Sequence, residues 1–206
     1  MPSVDDEKTT LHAYLRRLRA DLLGKLDGLD EYDVRRPMTA TGTNLLGLVK
    51  HVASVELGYL GEVFGRPSGR SLPWFADDAE PDADLWVPAD ETLEEIVELH
   101  RFSAAHGDAT IEALPLDAVG EVPWWAPEKR GVTLHRVLVH LCVETARHAG
   151  HADILRELVD GAHGQRTGDP NIPPRTAAEL AAHRDRIERA ARRFRPPPDG
   201  GPSTAV

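Results

Sequence analysis

The sequence predicts an all-α bundle of four long helices with two long connections, followed by one short C-terminal helix. Apolar residues recur at spacings of three and four in four long segments, the signature of amphipathic helices. Only 5% of the 206 residues are aromatic and Leu and Ala dominate the apolar set, which favours helix over sheet. Pro, Gly and Asp gather between the periodic segments, where they mark connections.

The first helix is expected over 9–29, where Leu11, Leu15, Leu18, Leu22, Leu26 and Leu29 form one stripe. The second begins after Thr41-Gly42-Thr43, carries Leu45, Leu48, Val52 and Val55, and ends near Phe64 at Gly65-Arg66-Pro67. Residues 66–90 are too rich in Pro and Asp for a helix. The third helix opens near Asp90, with Thr92 and Glu95 spaced as a capping box, and runs to about Leu114. A second connection leads to the fourth helix at about 133–159. Both connections are long enough to cross the bundle, so simple up-down-up-down topology is not required. This gives a bundle over 1–160. Residues 161–206 then form a Gly/Pro-rich linker, a short Arg-rich helix at 176–194 and a disordered tail, PPPDGGPSTAV, at 196–206.

Composition excludes several function classes. A net charge of −10 argues against a general nucleic-acid surface, which needs cations to neutralise phosphates. The Arg-rich last helix is too short a basic face to reverse that, and is expected to pack on acidic surface. Cys142 is the single cysteine, so an intramolecular disulfide framework and a multi-cysteine zinc site are both excluded. No apolar run approaches the ~20 residues of a membrane span. The acidic, polar start MPSVDDEKTT does not read as a secretory signal, so the expected location is the cytoplasm. The run Asp77, Asp78, Glu80, Asp82, Asp84 lacks the glycine and terminal Glu of a calcium loop and reads as solvated.

The chemistry lies in polar residues set into apolar stripes. On the fourth helix, Glu144 and His148 fall between Leu141 and Ala152 on the face carrying Val137, Leu155 and Val159. At four residues apart their Cβ atoms are about 6 Å from one another. His51 shares a face of the second helix with Leu48 and Val55. A carboxylate on a core face must be paired, neutralised or bound to a metal. Two readings fit equally well: a His–Glu hydrogen bond between packed helices, or three N/O ligands with an open fourth position, as in catalytic zinc-type sites. His140 and His151 flank the pair. Either could replace Glu144 or bond a ligand, although His140 reads as pocket mouth or surface. His12, His100, His106, His135, His163 and His183 form no pattern and read as surface or cap residues.

The segments TGTNLLGLVKHVASVE at 41–56 and ETARHAGHADILRE at 144–157 resemble the DinB superfamily. More narrowly they are similar to the uncharacterised subfamily related to the N-terminal domains of mycothiol-dependent maleylpyruvate isomerases. The resemblance spans about residues 8–160. It implies a DinB-like four-helix bundle with crossover connections, often a homodimer, holding a divalent metal between helices two and four. Carried over, the ligands are His51, Glu144 and His148. Glu144 stands where the superfamily more often has His, and Gly150-His151 where Gly-Gln is usual. Residues 161–206 are much shorter than the isomerase's C-terminal domain.

The resemblance implies a metal-dependent thiol S-transferase of the mycothiol type, with zinc as first choice of metal and nickel as second. The partners are a small-molecule thiol and a small electrophile, without nucleic acid or membrane. A bound metal lowers the pKa of a thiol, so the cosubstrate's sulfur is the nucleophile and no side chain need be. Cys142, about 160° around the helix from Glu144, reads as packing. The alternatives are a metal-dependent hydrolase, using the same ligands plus a general base, and a non-catalytic, stress-associated metal-binding protein. Trp74, Trp86, Trp124 and Trp125 all lie in the two connections. They read as packing at the bundle end in preference to roofing a pocket.

Overall fold

The computed structural model describes residues 6–166 and 168–195. The chain divides into two compact units, residues 1–167 and 168–206. The tail expected at 196–206 lies outside the described residues.

The first unit is an all-α, DinB-like bundle. Its helices are α1 (Glu7–Leu23), α2 (Glu31–Arg35), α3 (Leu45–Leu60), α4 (Leu93–Ala113) and α5 (Leu134–Asp160). The four long ones close a cycle in which α1 packs on α5 and α4, and α3 packs on α4 and α5. Each begins where a short polar side chain can accept an otherwise orphaned backbone N–H. Asp6 caps α1, Asn44 caps α3 and Thr133 caps α5. Thr92 and Glu95 form the expected reciprocal capping box at α4. The first apolar stripe does not stay in one helix: α1 ends at Leu23, and Leu26 is buried from a 3-10 turn at Gly24–Leu26.

The second connection contains a hairpin the sequence reading missed, β1 (Val119–Glu121) paired antiparallel with β2 (Gly131–Thr133). Three-residue strands are too short for an alternating pattern to register. Val122 and Val132 carry it into the core with Val63 and Leu138.

The first connection is not a free loop. Residues 72–91 form a strap across the start of α3. Lys50, 1% exposed, places Nζ 2.8 Å from Glu91, 3.3 Å from the Trp86 carbonyl and 4.0 Å from the Trp74 ring centroid. The Trp74 indole donates to Ser54 Oγ at 2.9 Å, and Arg35 from α2 donates to the Val87, Pro88 and Glu91 carbonyls. At Gly47 the strap comes so close that a Cβ would lie 1.9 Å from the Leu85 carbonyl oxygen. Only a hydrogen fits there.

The second unit contains α6 (Ala177–Arg192), opened by a capping box of Thr176 and Glu179.

Candidate metal centre

His51, Glu144 and His148 come together between α3 and α5, with one potential ligand atom from each within 4.8 Å of the others. The His148 Nε2 lies 3.0 Å from Glu144 Oε1, and His51 Nε2 lies 3.4 Å from the same oxygen. Among the described residues they form the single group of this kind. Ligand atoms about 2.0–2.1 Å from a tetrahedral ion stand about 3.3 Å apart, close to the two separations from Glu144 Oε1. The donor set, two imidazoles and a carboxylate, suits zinc, nickel or iron. His148 Nδ1 is also buried without a hydrogen-bond partner among the described residues.

Glu144 and His148 are half-buried, at the edge of the stripe. The stripe itself continues through Thr145 and Ala149, 1% and 7% exposed, one residue further along. This register keeps the carboxylate at the border of the core, facing a cavity, instead of inside it.

A fourth residue was missed. Asp84, from the strap, accepts a hydrogen bond at 2.6 Å from His51 Nδ1. The bond fixes the tautomer that leaves Nε2 facing Glu144. Asp84 therefore does not belong to a wholly solvated acidic run, as its surroundings in the sequence suggest; its neighbours Asp77, Asp78, Glu80 and Asp82 are exposed. Its local context offers no cue, since the partner is a contact between distant segments.

The electrostatics follow from this geometry. Burial presses the His51 imidazole toward neutrality, but Asp84 and then Glu144 outweigh it and raise its pKa. Burial and the nearby His51 lower that of His148 against the pull of Glu144. Burial would raise both carboxylates, yet hydrogen bonds from the imidazoles hold Asp84 and Glu144 below the usual range.

The cluster opens on a cavity of about 770 Å³, to which His51, Asp84 and Glu144 contribute. His140 lines it too, with its ring 4.7 Å from Tyr59 and 5.5 Å from Trp125. His151 is exposed and touches the group only through a ring edge 5.4 Å from His148. The tryptophans divide. Trp74 and Trp125 pack into the core clusters and Trp86 is half exposed. Trp124, 53% exposed, lines the cavity. Cys142 packs beside Leu11, and burial raises its thiol pKa, as expected of a packing residue.

A second polar cluster lies elsewhere in the bundle. Arg19 and Glu56, 3% and 2% exposed, form an ion pair at 2.7 Å, and Arg19 also meets Asp108, which bonds His12. His100, expected at the surface, is buried, and burial together with the Arg19 charge depresses its pKa to about 4. His12 is partly buried too. The spacing held a signal: Arg19 follows Leu15 by four, and Glu56 follows Val52 by four, so both lie on apolar stripes.

An all-α bundle with a His/Glu/His group between two long helices defines the DinB-like class. The family model of the mycothiol-S-transferases matches residues 10–161, and the chain belongs to that family. No curated protein matches the chain. Among the described residues, no helix is long and apolar enough to cross a membrane.

Proposed function

We propose that this protein is a metal-dependent S-transferase that uses mycothiol as thiol and acts on a small electrophile. The observation carrying the reading is the His51/Glu144/His148 group at the edge of a 770 Å³ cavity, in a chain of the mycothiol-S-transferase family. These three residues would hold a divalent transition metal, zinc first and nickel second. When bound, such a metal supplies an open coordination position that lowers a thiol's pKa from its usual ~8.5.

The chain's own residues provide the setting. Asp84 orients His51 through Nδ1. The apolar cavity walls at Val55, Leu57 and Leu72 limit water around the reacting sulfur. The thiol proton leaves to water at the cavity mouth, a sulfur–carbon bond forms, and the electrophile's leaving group departs with the bonding electrons. A hydrolase reading gains little, because Asp84 is committed to His51 and Glu62, the other added carboxylate of the cavity, lies beyond Gly58 at its far end. In this reading residues 1–160 carry the activity, 161–206 are an appendage, and the protein works as a cytoplasmic homodimer.

The test is metal content by plasma mass spectrometry on untagged protein purified without chelator, followed by mycothiol transfer to a bimane electrophile. About one equivalent in wild type is expected, lost in His51→Ala and Glu144→Ala together with transfer. A wild type that neither carries nor takes up zinc or nickel overturns the proposal.

A further inference from the structure

The cavity extends well beyond the metal-ligating group. His51, Val55 and Gly58 share one face of α3 and all line it. At 1.5 Å per residue, Gly58 lies about 10 Å along the helix from His51. At that far end the Trp124 ring rests on Gly58, where a Cβ would meet its benzo ring at 3.2 Å. Trp124 thus presents a broad, half-exposed aromatic surface to the cavity.

Two polar groups adjoin it. The Tyr59 hydroxyl accepts from both the Trp125 and the Trp124 indoles, at 2.9 and 3.3 Å. With both lone pairs engaged, its own proton is left available for donation, and among the described residues no acceptor meets it. Glu62, an exposed carboxylate lining the cavity, has no ion-pair partner among the described residues. An aromatic platform, an oriented donor and a free acceptor are what a polyhydroxylated ring requires.

The distance decides which reactant lies there. The electrophilic carbon must meet the sulfur, so it occupies the His51 end. A group bound about two helical turns away belongs on the sulfur's own substituent. In mycothiol that substituent is an amide-linked glucosamine joined to inositol. We infer that Trp124, Tyr59 and Glu62 form a binding site for the pseudo-disaccharide of the thiol cosubstrate. The inference rests on the mycothiol reading for the ligand's identity, and on geometry for its place.

The probe is glucosaminyl-inositol without its cysteinyl arm, titrated by calorimetry into chelator-treated protein. Saturable binding to wild type is expected, with His51→Ala unchanged. Trp124→Ala should weaken it about tenfold, the loss of one aromatic contact, with Trp124→Phe retaining most of the affinity. Glu62→Gln should weaken it severalfold. No saturable binding overturns the inference, as does wild-type affinity in a folded Trp124→Ala. A rise in KM for the electrophile with the sugar's affinity unchanged places the electrophile on the wall, and also overturns it. Should Trp124→Ala lose its helical circular dichroism, Glu62→Gln on its exposed side chain decides, and unchanged affinity overturns the inference. Because the probe needs neither metal nor turnover, a failed transfer assay overturns the function and leaves this result standing. Transfer without sugar binding overturns the site alone.

Discussion

Two faces of α3 carry titratable groups into the bundle, with opposite outcomes. His51 and Glu56 are five residues apart, about 140° around the helix. Glu56 meets Arg19, a guanidinium that supplies the counter-charge inside a nearly sealed interface of α1, α3 and α4. His51 meets two carboxylates and a second imidazole beside an open cavity, and among the described residues no guanidinium or ammonium group is hydrogen-bonded to them. The first cluster pairs its charges with one another, with Arg19 Nη2 and Glu56 Oε1 left buried without a hydrogen-bond partner among the described residues. In the second, every side chain is of a type that binds a metal cation. In a bundle core, the presence of charge says little about function; whether the charges neutralise one another says much more.

The contrast can be broken most directly at the sealed pair. Glu56→Ala leaves Arg19 buried with only Asp108 and should cost about 3 kcal/mol in urea unfolding. Replacing both partners, Arg19→Met with Glu56→Leu, should recover much of that. A cost no larger than that of Glu144→Ala would erase the distinction.

His100 sharpens it through pH. Its folded pKa of about 4 lies below the unfolded value, so the unfolded chain takes up the proton first. Its contribution is therefore fully present above pH 6.5 and lost as pH falls toward 4, about 3 kcal/mol across the window. Urea midpoints measured over that range should flatten in His100→Gln.

Gly47→Ala acts on the open cluster from a distance. Its Cβ would displace Leu85, next to Asp84, and zinc affinity measured against a competing chelator should fall about tenfold or more. An unchanged affinity would show that the strap does not support the centre. The smallest effect belongs to Glu144→Ala in metal-free protein, where a part-exposed hydrogen-bonding carboxylate should be worth about 1 kcal/mol or less by thermal unfolding.

Most of the scaffold was legible in the sequence because local chemistry writes it. The Thr92–Glu95 box, the Thr133 start of α5 and the Gly161 stop are contiguous signals. Glu144, His148 and His51 stood out as polar interruptions of apolar stripes. What stayed hidden depends on contacts between segments far apart. Asp84 sits 33 residues from His51 among exposed acids, and nothing nearby distinguishes it from them. Arg19 and Glu56 occupied stripe positions, but each was outweighed locally by the leucines and valines around it. His100 likewise follows buried Ile96 by four, and its behaviour is set by burial and by the Arg19 charge, a contact between distant segments.

The strap both borders the cavity and carries the acceptor for His51, so its docking and the hold on that imidazole are a single equilibrium. Whatever lifts the strap frees His51 Nδ1, and whatever fixes His51 presses the strap down by the same free energy. Asp77 and Asp78, exposed on that strap, are open to a protease. The rate of cutting there becomes a gauge of how firmly His51 is held, readable without a spectrum or a substrate.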